Sequence, residues 1–169
     1  MLANVSFFYF EKGILSSIII PLFLHKIKTM SSDSIKINSS EAPEPVGLYP
    51  HARKVGNLLF LSGVGPREKG TKKIPGVELD AEGNILSYDI ATQCHSVFKN
   101  IKLIVEASGS SWDNIIDVTV FLTNMKDDFK TYNAIYAEYF KDNQPCRTTI
   151  EIKSLPTPIG IELKVMATI

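Results

Sequence analysis

The chain has 169 residues, of which 44% are hydrophobic and 21% are charged. These values are typical of one globular domain with a core of its own. Its 18 lysines and arginines balance 18 aspartates and glutamates, so bulk charge gives no reason to expect nucleic-acid binding. The two cysteines, Cys94 and Cys146, and the three histidines lack the spacing of a disulfide framework or a metal site.

Residues 1–29 differ in composition from the rest of the chain. An apolar run over 14–24, interrupted by two serines and a proline, is too short to span a bilayer. It is compatible with the apolar core of a signal peptide, but no small-residue cleavage site follows, and a mitochondrial presequence would contain arginine. A translation start at Met30 is the other interpretation. We therefore expect a cytoplasmic protein, with mitochondrial import or secretion as alternatives if residues 1–29 act as a targeting segment.

The chain is predicted to divide into an N-terminal extension over 1–44 and a folded domain over 45–169. The serine-rich stretch 31–44 is expected to be a flexible leader. A hairpin turn at 54–57 then joins a short strand near 49–53 to a strand over 58–62. The apolar run from Leu58 to Leu61 predicts that this strand is buried on both faces.

A glycine-containing loop over 62–67 follows the buried strand directly. Glycine lets backbone N–H groups approach a ligand closely. The loop has neither the Rossmann nor the P-loop spacing, so it is not a phosphate motif. The polar stretch 69–83 is predicted to be a loop or lid.

Two helices and a strand follow. Ser87 is predicted to cap the first helix, with Asp89 in its first turn and Gly109 at its end. Its buried stripe is Ile90, Cys94, Val97, Ile101, Ile104 and Val105. Residues 115–122 alternate as a strand, with Ile116, Val118, Val120 and Leu122 on one face. The second helix carries the aromatic stripe Phe129, Tyr132, Tyr136, Tyr139 and Phe140.

The C-terminal run over 145–167 alternates as two strands around a proline-marked turn, which predicts a hairpin. Its polar faces offer the guanidinium of Arg147 and the carboxylate of Glu162. A cation that grips a substrate carboxylate, beside a carboxylate that handles a proton, makes a plausible active site. The order β-β-α-β-α-β-β predicts an α+β domain with two helices against one sheet.

Several separated motifs, in order over roughly 42–169, resemble the Rid family of reactive enamine/imine deaminases. They are Gly47-Leu48-Tyr49, Ser62-Gly63, Gln93 with Asn100-Ile101, the strand from Asp117 to Leu122, Tyr132-Asn133 with Tyr136 and Phe140, and Pro145-Cys146-Arg147-Thr148-Thr149. Within the family, the details are most similar to the 2-aminomuconate deaminases. Those details are Tyr49-Pro50-His51, the loop from Ser62 to Arg67, Arg147-Thr148-Thr149 and Leu155-Pro156-Thr157-Pro158.

The resemblance implies a chorismate-mutase-like fold with a mixed sheet, assembled as a homotrimer. It also implies active sites in clefts between subunits and no metal or organic cofactor. The implied reaction is hydrolysis, in which an enamine tautomerises to an imine, water adds, and ammonia leaves a 2-oxo acid. The expected substrate is a small enamine or imine that carries a carboxylate.

The resemblance also assigns roles to residues. Arg147 matches the arginine that holds the substrate carboxylate in a bidentate pair, and Glu162 matches the glutamate that positions water and moves protons. The matches that line the cleft are Tyr49, Ser62, Gly63 and Asn133. Thr149 stands where many members have cysteine. Its main-chain carbonyl is the expected contact to water, so threonine should serve.

Arg67 and His51 are further candidates. 2-Aminomuconate has two carboxylates, and Arg147 can hold only one, so a second cation would supply discrimination. Arg67 is the first choice and His51 the second. A non-catalytic trimer that binds small molecules is the alternative function, and retention of both Arg147 and Glu162 argues against it. A ribonuclease role is weak, because net charge is zero and no basic stripe is present.

Overall fold

A computed structural model describes residues 34–169. The elements in chain order are β1 (Ser34–Ile37), β2 (Ala52–Val55), β3 (Leu58–Leu61), β4 (Val77–Leu79), β5 (Ile85–Tyr88), α1 (Ile90–Ala107), a 3-10 turn (Trp112–Asn114), β6 (Ile115–Leu122), α2 (Met125–Tyr139), β7 (Cys146–Glu151) and β8 (Ile161–Thr168). Neither helix in this part of the chain is long and apolar enough to cross a membrane. The apolar run over 14–24 and the alternative start at Met30 lie outside the described residues.

Six strands form one mixed sheet in the order β1-β2-β3-β8-β6-β7. β7 runs parallel to β6, and the other neighbouring strands are antiparallel. Both helices pack on one face of this sheet, and the predicted α+β class, with two helices on a mixed sheet, is confirmed.

The core lies between the helices and the two longest strands. Val118, Val120 and Leu122 of β6 pair with alternate residues of β8, and all three are fully buried. Burial of each such side chain stabilises the fold by about 1.5–3 kcal/mol. Ile116, predicted to share their face, is 40% exposed instead. A register shift between Ile115 and Asp117 turns it outward.

The N-terminus of α1 differs from the prediction. Asp89, and not Ser87, is the N-cap, and its carboxylate accepts from the N–H groups of Ala91 and Thr92. Ser87 lies in β5, where its hydroxyl donates to Glu78 across the small hairpin of β4 and β5. The predicted loop over 69–83 therefore contains β4, a strand too short to give an alternation signal.

The sheet begins before Pro45. β1 pairs with β2, and Ser39 and Ala42 are buried, so the leader predicted over 31–44 is folded from Ser34 onward. The buried imidazole of His51 holds this segment. Its Nδ1 accepts from the Ser39 N–H at 3.1 Å, and its Nε2 lies 2.9 Å from the carbonyl oxygen of Pro43.

The predicted C-terminal hairpin is wrong. β7 and β8 do not pair with each other, because each lies beside β6 on a different edge. α2 connects β6 to β7, and a helical crossover of this kind joins parallel strands. Arg147 stands beside Val118, on the face that the helices cover, whereas Glu162 stands beside Phe121 on the opposite face.

Candidate active site

Glu162 lies in an open cavity of about 310 Å³ on the sheet face opposite the two helices of the described residues. We call this the Glu162 cavity. Its polar and cleft-forming lining includes Tyr49, Ser62, Gly63, Arg67, Glu162 and Lys164. The structure thus brings together five of the residues singled out in the sequence, although they come from three separate segments.

Close packing of Gly63 against Glu162 shapes the centre of the cavity. A Cβ atom added at Gly63 would lie 2.8 Å from the Glu162 Cδ, closer than real Cβ contacts. The backbones are fixed here as well, because Val64 and Leu163 exchange N–H to carbonyl hydrogen bonds of 2.8 and 3.0 Å. Gly63 therefore makes room for the Glu162 side chain.

Burial raises the pKa of the Glu162 carboxyl above its usual range, and the Arg67 guanidinium nearby partly counteracts this. A carboxyl whose pKa moves toward neutrality is better suited to exchange protons with a substrate than an ordinary surface carboxylate. The environment of Glu162 is therefore suited to general acid–base chemistry.

Two other lining residues are tied to their surroundings. The Ser62 hydroxyl donates to the Pro50 carbonyl oxygen at 2.7 Å, which fixes the loop that carries Tyr49. Tyr49 itself is 42% exposed and faces the cavity. The Ser62 hydroxyl proton is therefore donated to the backbone, and its oxygen remains available as an acceptor at the cavity wall.

Arg67 and His51 have different environments. The Arg67 Nη2 donates to the Glu44 carbonyl oxygen at 2.7 Å, and no other acceptor in residues 34–169 takes up the remaining guanidinium donors, which could bind an anion. Both ring nitrogens of His51 are occupied by backbone groups. His51 therefore has a structural role, whereas the Arg67 side chain lines the Glu162 cavity.

Arg147 occupies a second site, on the helix-covered face of the sheet. Its Nη1 donates to the Asn133 Oδ1 at 2.8 Å, and its guanidinium carbon lies 4.6 Å from the centre of the Tyr136 ring. The ring of Tyr132 is 5.8 Å away. The cation is therefore stacked and hydrogen-bonded while its side chain remains exposed, which leaves donors for a carboxylate.

Three buried hydroxyls on α2 and β7, the elements that carry the Arg147 site, make no hydrogen bond of standard geometry within the described residues. They belong to Tyr132, Tyr136 and Thr149. Burial raises the pKa of Tyr132 to about 12 and moves that of Tyr136 further in the same direction, so both phenols are neutral at physiological pH. The aromatic stripe of α2 therefore supports Arg147 through Tyr132 and Tyr136, and Asn133 on the same helix holds the guanidinium.

The two charged residues, Arg147 and Glu162, do not meet within one chain. Their strands flank β6, and their partners on it, Val118 and Phe121, are three residues apart. Strand geometry puts their backbones roughly 10 Å apart across the sheet and about 10 Å apart along it, with side chains on opposite faces. One chain therefore carries two separate candidate sites, the Glu162 cavity and an Arg147 site formed with Asn133, Tyr132 and Tyr136.

Comparison with known proteins identifies a matching family model and several similar proteins. Residues 39–169 match the family model described as endoribonuclease L-PSP. A RutC family protein of Pyrococcus horikoshii is 39% identical over 131 residues, which cover 78% of this chain and 94% of that protein. Reactive Intermediate Deaminase A, chloroplastic, of Arabidopsis thaliana is 34% identical over 144 residues, which cover 83% of this chain and 71% of that protein.

Solved structures agree in fold. The crystal structure of E. coli TdcF with bound serine has a TM-score of 0.68 at 29% identity. The match covers 80% of this chain and 98% of that one.

Proposed function

The chain belongs to the endoribonuclease L-PSP family, also called the Rid family, and on that premise we propose that it is a cofactor-independent deaminase of reactive enamines and imines. The reaction adds water to the imine carbon and releases ammonia and a 2-oxo acid. The name of the Arabidopsis relative, Reactive Intermediate Deaminase A, supports this chemistry. The observation that carries the proposal is Glu162, a carboxyl with a raised pKa in an open cavity.

The proposed mechanism gives each charge one task. Arg147, held by Asn133 and Tyr136, binds the carboxylate next to the reacting carbon. A proton from solvent on the enamine carbon gives the iminium ion, and Glu162 takes a proton from the water that attacks the iminium carbon, which gives a carbinolamine. The same group returns that proton to nitrogen. As the C–N bond breaks, ammonia leaves and the hydroxyl proton passes to solvent, which gives the 2-oxo acid and restores the proton balance.

The proposed assembly of subunits follows from the size of the substrate. Its carboxylate carbon is bonded directly to the carbon that water attacks, so Arg147 and the Glu162-bound water must lie only a few ångströms apart. We propose a homotrimer in which the Arg147 site of one subunit completes the Glu162 cavity of its neighbour. The sheet face opposite α1 and α2 supports this, because within residues 34–169 Phe60, Phe121 and Met166 are only half-buried there and Ile150 is 41% exposed. Sedimentation analysis of the purified protein should give a species three times the chain mass.

The substrate class is proposed from Arg67. A dicarboxylate enamine such as 2-aminomuconate would place one carboxylate on Arg147 and the other on Arg67. Lys164 lies in the same cavity, which adds to its positive charge.

A side-by-side assay of ammonia release tests both levels of the proposal. We expect the wild type to deaminate 2-aminoacrylate and 2-aminomuconate generated in situ, with the higher kcat/KM for 2-aminomuconate. Arg147→Ala should lower kcat/KM for both by at least about 30-fold, since removal of one partner of a charge pair that the proposed subunit interface buries costs about 2–5 kcal/mol. Arg67→Ala should lower it mainly for 2-aminomuconate. A wild-type trimer inactive on both substrates would refute the proposed reaction, and equal losses on both in Arg67→Ala would refute only the second carboxylate contact.

A non-catalytic role as a small-molecule binder is the second candidate. It is favoured by one observation, that the solved structure of E. coli TdcF contains bound serine. Calorimetric binding of serine or a 2-oxo acid, lost in Arg147→Ala, together with no turnover of either enamine, would establish it.

A further inference from the structure

Asn100 joins α1 to the loop that carries Arg67. Its side chain is buried, with 4% of its surface exposed. The Nδ2 donates to two carbonyl oxygens at once, that of Gly65 at 3.0 Å and that of Arg67 at 2.9 Å. Both protons of the amide are therefore used on one short turn, and replacement of a buried donor leaves its acceptors unsatisfied.

The turn over 65–67 is restrained on its other sides too. The Arg67 N–H donates to the Gly65 carbonyl oxygen at 3.1 Å. A Cβ atom at Gly65 would lie 2.8 Å from the Ile159 Cδ1, so the turn packs directly on a buried side chain of the cavity wall. The guanidinium end of Arg67 is tied to the Glu44 carbonyl oxygen. Arg67 is thus held at both its backbone and its head group.

We propose that Asn100 is a positioning residue, which fixes the turn over 65–67 so that the Arg67 guanidinium stays in the cavity that Glu162 lines. The charged and titratable groups that share the cavity with Glu162 are Arg67 from this turn, Lys164 from β8 and Tyr49 from the loop before β2. Of these, Arg67 favours the ionised form of Glu162. The consequence for catalysis rests on the proposed function, whereas the placement of Arg67 does not.

An NMR titration of the Glu162 carboxyl carbon tests the placement without any need for activity. The signal is assigned in protein labelled with 13C-glutamate by its loss in Glu162→Gln. Arg67→Ala should raise the pKa of Glu162, because a cation is removed. Asn100→Ala should raise the pKa of Glu162 by most of the same amount, and the double variant should raise it no further than Arg67→Ala alone.

Val97→Ala is the matched control. Val97 is a fully buried residue of the same helix, and its side chain has no group that could form a hydrogen bond with the turn. It should lower Tm and leave the titration unchanged.

Either of two results would overturn the proposal. One is an Asn100→Ala protein with a lowered Tm and a wild-type titration of Glu162. The other is a double variant whose shift equals the sum of the single shifts. If Asn100→Ala does not fold, Asn100→Ser, which retains one donor, is measured against the same criteria. Where the deaminase is active, the acid limb of kcat/KM should move with the titration. An inactive wild type would refute the proposed reaction and leave the titration result standing.

Discussion

At the scale of single residues, the structure depends on residues that leave space for a carboxylate or shield it from water. Tyr49, Ser62, Gly63, Arg67 and Glu162 line one cavity. Gly63 is the residue that makes room there, because a Cβ atom at this position would overlap the Glu162 side chain.

Gly63→Ala is expected to displace the Glu162 carboxylate while the fold persists. The new methyl group would meet the end of a flexible side chain, which can rotate away. A misplacement of about 1 Å at a catalytic group can cost as much as 100-fold in rate, so we expect kcat to fall at least about tenfold with little change in Tm. Ammonia release and thermal unfolding are the measurements. The double variant Gly63→Ala with Glu162→Asp, whose acid is one methylene shorter, should recover part of the rate. A Gly63→Ala enzyme with wild-type kcat would show that this close contact is irrelevant to catalysis.

Asp128→Asn is expected to stabilise the protein at neutral pH. The Asp128 carboxylate is buried at the start of α2 and accepts from the Tyr88 hydroxyl at 2.6 Å. Its position in the first turn favours charge by about 0.3–1 kcal/mol, but burial has the larger effect and raises its pKa above 3.8. The folded state therefore binds the proton more tightly than the unfolded state, and this contribution to stability is lost as pH rises through the folded pKa.

Asparagine retains the acceptor for Tyr88 and carries no charge to bury. Its Tm at pH 7 should exceed that of the wild type by roughly 2–4 °C. The difference should shrink as pH falls through the raised folded pKa of Asp128, and it should have reached its minimum at the unfolded value of about 4. Tyr88→Phe is the control, because it removes the hydrogen bond and should lower Tm. Scanning calorimetry from pH 3 to 8 is the measurement, and an Asp128→Asn protein less stable than wild type at pH 7 would contradict the expectation.

At the scale of elements, local signals predicted local structure. β6 was placed at its observed residues because alternation is a property of a strand itself, and the buried stripe of α1 was placed for the same reason. The pairing of β7 and β8 was wrong because alternation does not identify a strand's neighbour. Nor does it say which face the helices cover, which is why Arg147 and Glu162 were expected on one hairpin and lie on opposite faces.

Gln93→Met tests how α1 is joined to the start of β8. The Gln93 Oε1 accepts from the Gly160 N–H at 2.8 Å, while its buried Nε2 has no partner among the described residues. Methionine leaves the Gly160 N–H unpaired, at a cost of about 1–3 kcal/mol, but also removes an unpaired buried donor of similar cost. The free energy of unfolding should therefore change by less than about 1 kcal/mol, whereas hydrogen exchange of the Gly160 amide should become faster. A loss of several kcal/mol in urea titrations would mean that the Nε2 is satisfied in solution.

At the scale of the whole molecule, the separation of the two charges governs what one chain can do. Arg147 is presented on an exposed edge strand, and Glu162 lies in a cavity on the other face, two strands away. Each site has its own supporting residues, Asn133 and Tyr136 for the cation and Gly63 and Arg67 for the carboxyl. A cyclic assembly brings one surface of each subunit against a different surface of the next. A site shared between identical subunits therefore needs supporting residues for the cation on one face and for the carboxyl on the other, as this chain has.

Subunit mixing is the sharpest test of that arrangement. Arg147→Ala and Glu162→Gln should each be inactive as pure proteins, since each removes one half of every site. When the two are unfolded together and reassembled at equal concentrations, every mixed trimer contains one interface with a wild-type Arg147 and a wild-type Glu162. Random assembly in a cyclic trimer should then restore roughly a quarter of wild-type ammonia release. A mixture of the double variant Arg147→Ala with Glu162→Gln and either single variant is the control, and it should stay inactive. If the mixture of single variants stays inactive although mass spectrometry shows mixed trimers, both residues act within one chain or the site is not shared.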